Sequence, residues 1–483
     1  MTPRQPVAPA PGPLEAYAYL FDPLLGKRNQ RDAFRRYLEG LLLPTERNKT
    51  LTALANTEPV VGAQHPHAQG LQWFLSESTW KPEAINTQRL KVLRADPTSA
   101  PDHRGVLIVD ETGDRKAGST TAHVGRQYLA NLGKTDNGVV SVSTLWADAR
   151  IYYPLELDPY TPAHWFARGK ADPAFRTKPQ IALDLVKRAV AASWPFRAIV
   201  ADALYGENDT FRTGLDTLKV GYVLALKPSH CWWHIEGERG SLAEAVEVAA
   251  WEGPEQPGAW EKVVRRFRDG HAEVWWALEL VVGPYGPAKM LRALVVTTNP
   301  VTLPSLTTWY LVTNLPLPGS ERAATSILEA ASLVEIVRLY GLRMWVEQSY
   351  KQVKQALGWA EYQVRSDVAM RRHWVLVWCA FSFCWWHLGH GAEQVPGWVD
   401  EGAAPLSERC EPSEEAGREK KSGERGHAAT GGMLASSIAQ GASVVGAVAH
   451  ARAILASVVA VAPATRAAGP VLLGSARLPA LPL

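Results

Sequence analysis

Val106-Leu107-Ile108-Val109 is an uninterrupted apolar run that ends at a carboxylate, Asp110. Such a run is typical of a central strand that is buried on both faces of a sheet. A second run of the same kind, Ala198-Ile199-Val200-Ala201, ends at Asp202. The surrounding pattern alternates further strands with a helix, at 139–146, 151–157, 179–193 and 222–226. We therefore predict an α/β fold for this part of the chain.

Asp110 and Asp202 occupy matching positions, because each directly follows a predicted buried strand. A carboxylate at that point is held on a rigid base at the rim of the sheet, where α/β enzymes place catalytic groups. For either residue alone, a turn aspartate or a helix N-cap is the stronger interpretation. The two together, with a suitable third carboxylate, favour a catalytic site.

Glu347 is the candidate for the third carboxylate. On a continuous helix at about 100° per residue, Tyr340, Arg343, Glu347 and Lys354 fall within a strip of about 60°. An apolar face lies opposite, formed by Leu339, Leu342, Val346, Val353 and Leu357. The plainer alternative is a solvated ion pair between Arg343 and Glu347. That alternative does not explain why Tyr340 and Lys354 share the strip.

Three carboxylates and two cations suit metal-dependent phosphoryl chemistry. Mg²⁺ prefers oxygen ligands and is usually held by a few carboxylates together with the phosphate of the substrate. Two such ions, roughly 3.5–4 Å apart, can activate an attacking oxygen and stabilise a leaving one. We therefore expect Asp110, Asp202 and Glu347 to bind two Mg²⁺ ions, for which Mn²⁺ can substitute.

Composition divides the rest of the chain into segments. Residues 1–13, rich in Pro and Ala, are predicted to be disordered, and residues 14–95 to form a helical, DNA-binding domain. In that domain Arg28, Arg31 and Arg35 share one helix face, which is either solvated or DNA-binding. The core begins at 102–228 and is completed by helices at 319–398, which carry Glu347. Between them, residues 229–318 show strand patterns around an Asp269-Gly270 turn and predict an all-β insertion.

Several classes of protein are disfavoured by composition. No run of about 18 apolar residues exists and the N-terminus has no signal-peptide core, so we expect a cytoplasmic protein without a membrane segment. The four cysteines lack metal-type spacing and read as free thiols. A Trp-rich buried helix explains His373, Cys379 and Cys384 better than a zinc site does. The net charge of +3 decides nothing about nucleic acid, because local clustering controls phosphate binding.

The motif Tyr340-x2-Arg343-x3-Glu347-x6-Lys354 resembles the YREK signature of insertion-sequence DDE transposases, the IS-four superfamily. The segments Val109-Asp110-Glu111-Thr112-Gly113 and Val200-Ala201-Asp202-Ala203-Leu204-Tyr205-Gly206 resemble the first and second aspartate motifs of that family. The segments at 124–128 and 132–137 resemble its IS-seven-hundred-one branch. The resemblance covers about residues 17–398, and the three motifs in this order make it specific.

The resemblance implies a ribonuclease-H-like catalytic core interrupted by a β-rich insertion. It also implies a bacterial, nucleoid-associated enzyme that binds the terminal inverted repeats of an insertion sequence. Such an enzyme cleaves the ends by metal-dependent hydrolysis, in some members through a hairpin intermediate, and joins the 3′-hydroxyl ends to target DNA. Members act as homodimers in a synaptic complex. Asp110, Asp202 and Glu347 would be the catalytic residues and metal ligands.

DNA-binding residues are expected at two places. The signature implies phosphate contacts for Tyr340, Arg343 and Lys354, with Lys351 on the same helix. A basic loop follows the first aspartate and leaves the strand that bears it, so we expect DNA contacts from Arg115, Arg126 and Lys134. Two other functions compete with this one. The chain could be a catalytically inactive or domesticated relative that acts as a repressor. It could also be a phosphohydrolase with an aspartyl nucleophile, but such enzymes carry a second Asp where this chain has Thr112.

Residues 399–483 form a low-complexity segment that contains no Phe, Tyr or Trp. Without aromatic residues it has little means of building a packed core, so we predict a disordered tail that is not needed for cleavage. Two origins remain open: a natural flexible tail, or a frameshift near residue 400 that replaced the helices of the family.

Overall fold

A computed structural model describes residues 12–233, 239–267, 270–282 and 291–391. Most of the predicted disordered N-terminus and the whole predicted tail at 399–483 lie outside these ranges. Gly12 and Pro13 lie within them, and Pro13 is the first residue of a helix, so the boundary predicted at residue 13 was set too late. Proline suits that place because its fixed φ matches the helix and its missing N–H would have no helical partner.

The N-terminal region is helical as far as residue 95. Its helices are α1 (Pro13–Tyr19), α2 (Arg28–Leu42), α3 (Leu51–Leu54), α4 (Pro66–Ser76) and α5 (Pro82–Ala95), with 3₁₀ turns at Asp22–Leu24 and Val61–Gln64. Helix α2 buries Phe34, Tyr37, Leu38 and Leu41 at helical spacing. On its other side Arg35 forms ion pairs with Glu15 and Asp22. The guanidinium of Arg35 is therefore bound within the protein rather than presented freely to solvent.

Twelve strands are described. They are β1 (Val106–Arg115), β2 (Gly125–Leu129), β3 (Lys134–Ala147), β4 (Tyr152–Tyr160), β5 (Ala198–Ala201), β6 (Tyr222–Ala225), β7 (Cys231–Trp233), β8 (Arg239–Ser241), β9 (Glu261–Arg266), β10 (Ala272–Val282), β11 (Leu291–Thr297) and β12 (Thr308–Thr313). Ten of them form one mixed sheet of order β2-β3-β1-β5-β6-β12-β11-β10-β9, with β4 also paired to β3; β7 and β8 pair separately. Strands β5 and β6 run parallel to β1 and the other pairings are antiparallel. This large mixed sheet is consistent with a ribonuclease-H-like core.

The remaining helices follow the central strands. They are α6 (Lys178–Ala191), α7 (Ala203–Gly206), α8 (Asp209–Thr217), α9 (Leu242–Glu247), α10 (Glu321–Thr325), α11 (Leu333–Gly341), α12 (Met344–Ala356) and α13 (Asp367–Gly391), with further 3₁₀ turns at Ala130–Leu132, Ala163–Trp165 and Gly169–Ala171. Helix α6 begins with a capping box in which Thr177 and Gln180 bond reciprocally. It packs on β3 and β4, whereas α11 packs on β5 and β6 and α12 on β1 and β4. The strand run Val106–Val109 is fully buried between these layers.

Helix α13 joins the N-terminal helices to the core. It packs against α2, α4 and α5 and also against α12 and β4. Its buried His373 bonds the Tyr37 hydroxyl on α2 at 2.8 Å and faces the carbonyls of Gly358 and Trp359. Cys379 and Cys384 are buried free thiols on the same helix. Among the described ranges, no helix is long and apolar enough to cross a membrane.

The segment predicted as an all-β insertion differs from that expectation in two ways. It contains a helix, α9, and its strands β9–β12 are part of the central sheet instead of forming a sheet of their own. Strand β12 pairs with β6 through Leu311–Thr313, and this pairing continues the sheet outward. The edge of β6 carries backbone groups that need partners, and β12 supplies them. Asp269 lies outside the described residues, but β9 and β10 on either side of the predicted turn do pair antiparallel.

Candidate active site

The register of β1 and β5 brings Asp110 and Asp202 together. The last pair between these parallel strands is Val109 with Ala201, and the aspartates come next on each chain segment. The sequence analysis predicted that Asp110 ends its strand, and this is wrong. Strand β1 continues to Arg115 in antiparallel pairing with β3. Asp202 leaves β5 and accepts a hydrogen bond from the Leu204 amide at 3.0 Å, which caps α7. The helix-cap interpretation of Asp202 is therefore correct and is compatible with a second role for its other carboxylate oxygen.

Glu347 reaches the same region from α12, but the helix that carries it is shorter than expected. The sequence predicts one helix from Tyr340 to Lys354, whereas α11 ends at Gly341 and α12 begins at Met344. Between them the backbone stays right-handed while the amides of Leu342 and Arg343 bond the carbonyls three residues back. This tighter turn, next to a glycine with its low helix propensity, rotates α12 relative to α11. Tyr340 and Glu347 therefore do not share one continuous helix face.

Arg343 lies at the centre of the three carboxylates. Its Nη2 is 3.1 Å from an Asp110 oxygen and 3.9 Å from an Asp202 oxygen, and its Nη1 is 3.0 Å from an oxygen of Glu347. The ion pair between Arg343 and Glu347, considered above as the plainer alternative, is thus present. It is one contact of a larger cluster, in which a single guanidinium neutralises three acidic side chains from β1, the end of β5 and α12.

Burial perturbs the charges of this cluster. Desolvation raises the pKa of Asp110 to about 7, although Arg343 opposes the shift, and the neighbouring Asp202 and Glu111 add to it. Desolvation likewise raises the pKa of Asp202. Burial also disfavours the charged form of Arg343, but attraction to the acidic side chains keeps its pKa above the usual value. Asp110 and Asp202 are thus held where an uncompensated negative charge is unfavourable, and a cation must accompany them.

The donor set of the cluster fits a hard divalent cation. Three carboxylates supply oxygen ligands of the kind that such ions prefer. In the part of the chain that is described, no three acidic, His or Cys side chains are arranged around a common cation position. Arg343 occupies the space between the carboxylates, and the Glu347 side chain is 65% exposed. To bind a metal ion here, the guanidinium has to leave and Glu347 has to turn inward.

Tyr340 lies beside this cluster, at the end of α11. Its ring is buried and packs edge-on against Trp309 of β12, with the ring centroids 5.0 Å apart. Burial raises its pKa to about 12, so it is a neutral hydrogen-bond donor at physiological pH. Strand β12 of the extended sheet thus helps to position a residue of the predicted signature.

Lys354 has a partner that the sequence did not predict. Its Nζ forms a 2.8 Å ion pair with Asp114 and donates a 2.8 Å hydrogen bond to the carbonyl of Gly113, both on β1. Asp114 is 2% exposed and also accepts a hydrogen bond from Trp359. The Lys354 amino group therefore ties α12 to β1 and is not directed into solvent. Lys351, one turn after Glu347, is exposed.

The basic loop after the first aspartate is divided between surface and interior. Arg115 and Lys134 are exposed and both approach Asp136, at 3.3 and 3.9 Å, while Arg126 is exposed on β2. Arg115 is five residues beyond Asp110, about 16 Å along a strand, so these three cations are not part of the carboxylate cluster. Lys116 and His123 from the same loop bind internally, to the Ala360 carbonyl and to Asp367.

Two side chains near the cluster, Glu111 and Tyr350, make polar contacts that the sequence did not predict. Glu111 points to the opposite face of β1, where Lys178 donates to it at 2.9 Å and the Tyr205 hydroxyl at 2.6 Å. The hydroxyl of Tyr350 on α12 bonds that of Ser143, the residue paired with Asp110 across β1 and β3. The position of Tyr350, three residues after Glu347, could have indicated that it shares a helix face with that carboxylate.

Comparison with known proteins agrees with this architecture. Residues 20–273 match the family described as DDE superfamily endonuclease. The chain is also 32% identical over 365 residues, 75% of its own length and 85% of the relative, to the "Probable transposase for insertion sequence element IS701" of Microchaete diplosiphon. The chain therefore belongs to the DDE superfamily of endonucleases.

Within that superfamily it is a DDE transposase of the insertion-sequence type. Enzymes of this superfamily act on DNA and generally use divalent metal ions. The predictions made above for the family and for the class of enzyme are thus confirmed.

Proposed function

We propose that this transposase binds the terminal inverted repeats of an insertion sequence, hydrolyses the phosphodiester bond at each end and joins the resulting 3′-hydroxyl to target DNA. Asp110, Asp202 and Glu347 are the catalytic residues and the metal ligands. The observation that carries this proposal is the approach of three carboxylates, from three separate elements, to within 4 Å of the Arg343 guanidinium. The guanidinium marks a place where the protein holds positive charge between acidic oxygens.

When bound, two Mg²⁺ ions, or Mn²⁺ in their place, supply activation of the attacking oxygen and stabilisation of the leaving oxygen. The protein contributes rigidity in two of the three ligands. Asp110 is fixed within a strand that is paired on both sides, and Asp202 by its cap of α7. Glu347 is the adjustable ligand, because its side chain is largely exposed on α12.

Arg343 then has two successive partners. Without metal it neutralises the carboxylates, and after metal entry its fork of N–H groups binds a DNA phosphate beside the scissile bond. Tyr340, which packs against Trp309, donates a hydrogen bond from its hydroxyl to the same DNA backbone. Lys351 contacts phosphate from the exposed side of α12, and Arg115, Arg126 and Lys134 contact DNA further along. Lys354 contacts a DNA phosphate only where that phosphate replaces Asp114 as the partner of its amino group.

The assembled enzyme is a homodimer that holds two DNA ends in a synaptic complex, in the bacterial cytoplasm at the nucleoid. A symmetric pair of active sites matches the two ends of an element, because a twofold assembly presents the same site twice.

The test replaces each carboxylate with its amide: Asp110→Asn, Asp202→Asn and Glu347→Gln. Each change removes a charge with little change of shape, so we expect loss of Mg²⁺-dependent cleavage of the DNA flanking the gene while DNA binding persists. Glu329→Gln is the matched control, because this exposed glutamate lies near Arg197, at the start of β5 and far from Asp202. A variant that cuts at the rate of the parent would remove its residue from the catalytic set.

A further inference from the structure

The strands that extend the central sheet contain an arginine enclosed by aromatic rings. The guanidinium carbon of Arg265, on β9, lies 4.6 Å from the ring centroid of Trp275, 4.6 Å from that of Trp309 and 4.9 Å from that of Phe267. Aromatic faces attract a guanidinium and hold it in a fixed orientation. We call Phe267, Trp275 and Trp309 with the enclosed Arg265 the arginine cage.

The aromatic rings contact the guanidinium of Arg265 but supply no hydrogen-bond acceptor for the N–H groups at its edges. Among the described residues, none forms a hydrogen bond or an ion pair with the Arg265 head group. Glu273 lies opposite Arg265 in the pairing of β9 and β10, but its carboxylate accepts from the Trp275 indole at 2.9 Å. Burial lowers the pKa of Arg265 to about 10, so the group is charged at physiological pH. Arg265 is thus a half-buried cation whose donors have no acceptor among the described residues.

The position of the cage connects it to the candidate active site. Trp309 packs on Tyr340, with centroids 5.0 Å apart. A Cβ on Gly341 would stand 3.0 Å from Nη2 of Arg265, so this glycine leaves room for the guanidinium. Gly341 is two residues before Arg343. The free edge of Arg265 therefore lies beside the turn that joins Tyr340 to Arg343.

We propose that Arg265 binds a phosphate of the DNA backbone next to the candidate active site, with the aromatic cage holding its guanidinium in position before DNA arrives. This inference rests on the proposed function, because it assumes that DNA lies across the carboxylate cluster. The planar fork of an arginine matches two phosphate oxygens, and a phosphate would satisfy the N–H groups that no residue in the described part of the chain pairs with. The extended sheet would thus be part of the DNA-binding surface.

A phosphate contact has a characteristic signature. It carries no sequence information, so its loss weakens binding equally on all DNA, and it lowers the salt dependence of binding by about one released counterion. A purely structural cation within an aromatic cage would do neither. Its loss would lower the unfolding temperature and leave the affinity of the folded protein unchanged.

The experiment measures binding of the full chain in EDTA, by fluorescence anisotropy, over a series of salt concentrations. The probes are a labelled duplex of the DNA that flanks the gene and an unrelated duplex of equal length. The variants are Arg265→Gln and Arg265→Lys. Arg266→Gln is the control, because this neighbouring arginine is exposed on the other face of the same strand.

We expect Arg265→Gln to bind both duplexes about tenfold more weakly, with a salt slope lower by about one, as for one charge-assisted contact. Arg265→Lys, which keeps the charge and loses the fork, should show a smaller loss and report on the site if the Gln variant does not fold. Arg266→Gln should bind within about twofold of the parent. Parental affinity and slope in both folded Arg265 variants would overturn the inference alone. Failure of the parent to bind either duplex would instead overturn the proposed function, and the inference with it.

Discussion

Replacing Arg343 with glutamine should increase the affinity of the DNA-free protein for divalent metal. On the proposed assignment of the metal ligands, the guanidinium and a metal ion compete for the same three carboxylates, since Arg343 contacts Asp110, Asp202 and Glu347 together. Glutamine keeps a similar length and polarity but carries no charge. The variant should therefore bind Mg²⁺ or Mn²⁺ without first displacing an internal cation.

The size of the effect follows from the two shorter contacts. The pair between Arg343 and Asp110 is mostly buried, and a hydrogen bond to a charged group of this kind contributes about 1.5–3 kcal/mol. The pair with Glu347 is largely exposed and contributes at most about 1 kcal/mol after solvent screening. Removing a competition of about 1.5–4 kcal/mol corresponds to metal binding that is tighter by roughly 13- to 860-fold.

Isothermal titration of metal-free protein with MnCl₂ or MgCl₂, without DNA, measures this change directly. Thermal unfolding is the second readout. Without metal, the Gln variant should be less stable than the parent, because three carboxylates lose their counter-charge, and metal should stabilise it more. Arg338→Gln is the matched control, since this arginine of α11 donates to the Arg104 carbonyl and contacts none of the three carboxylates.

Unchanged or weaker metal binding in Arg343→Gln would refute the reasoning. It would mean that the guanidinium supports the carboxylates as ligands, or that metal binds elsewhere. In either case the position of Arg343 would not mark the cation site.

The other predictions concern residues away from the metal. Lys354→Met leaves the buried Asp114 without its ion partner, so the free energy of unfolding should fall by about 3–5 kcal/mol in denaturant titrations. Adding Asp114→Asn should restore part of it, and unchanged stability in the single variant would show that Lys354 is free of Asp114 in solution. Burial lowers the pKa of His373 to about 4, so the unfolded chain binds a proton that the folded protein does not between pH 6.5 and 4. The contribution of His373 to the free energy of unfolding is fully present above pH 6.5. It falls by up to about 3 kcal/mol as the pH drops from 6.5 to 4. His373→Gln should flatten that part of a profile of unfolding free energy against pH, and a profile parallel to that of the parent would contradict the assignment.

Asp110 and Asp202 could be identified from the sequence because the pattern that marks them lies in the residues directly before each of them. Four apolar residues before Asp110 and four before Asp202 indicate buried strands, and a strand places the next residue at a defined point of the sheet. The motif around Glu347 was readable for a similar reason, since helical periodicity relates residues three and four apart. The class of enzyme was implied by the resemblance of the three motifs, in this order, to those of a known family.

Contacts between distant segments could not be found in this way. The pairing of β12 with β6 joins residues nearly ninety positions apart, and hydrophobic alternation is the same whether a strand forms a separate sheet or continues an existing one. The wheel that placed Tyr340 with Lys354 assumed a continuous helix. Hydrogen bonds at the turn after Gly341 break that assumption without an obvious change in the sequence pattern.

The sequence by itself determined the α/β class and the candidate carboxylates, because strand burial and helix periodicity are properties of short segments. The family was implied by the resemblance of its motifs to those of known transposases. Tertiary structure alone decided which charges meet. Arg343 turned out to lie between the carboxylates, Lys354 to bind Asp114, and Arg265 to be enclosed by rings from β10, from β12 and from Phe267 just after β9. Whether a long cationic side chain reaches solvent, an acid or an aromatic face depends on neighbours from other elements, and one-dimensional spacing does not contain their positions.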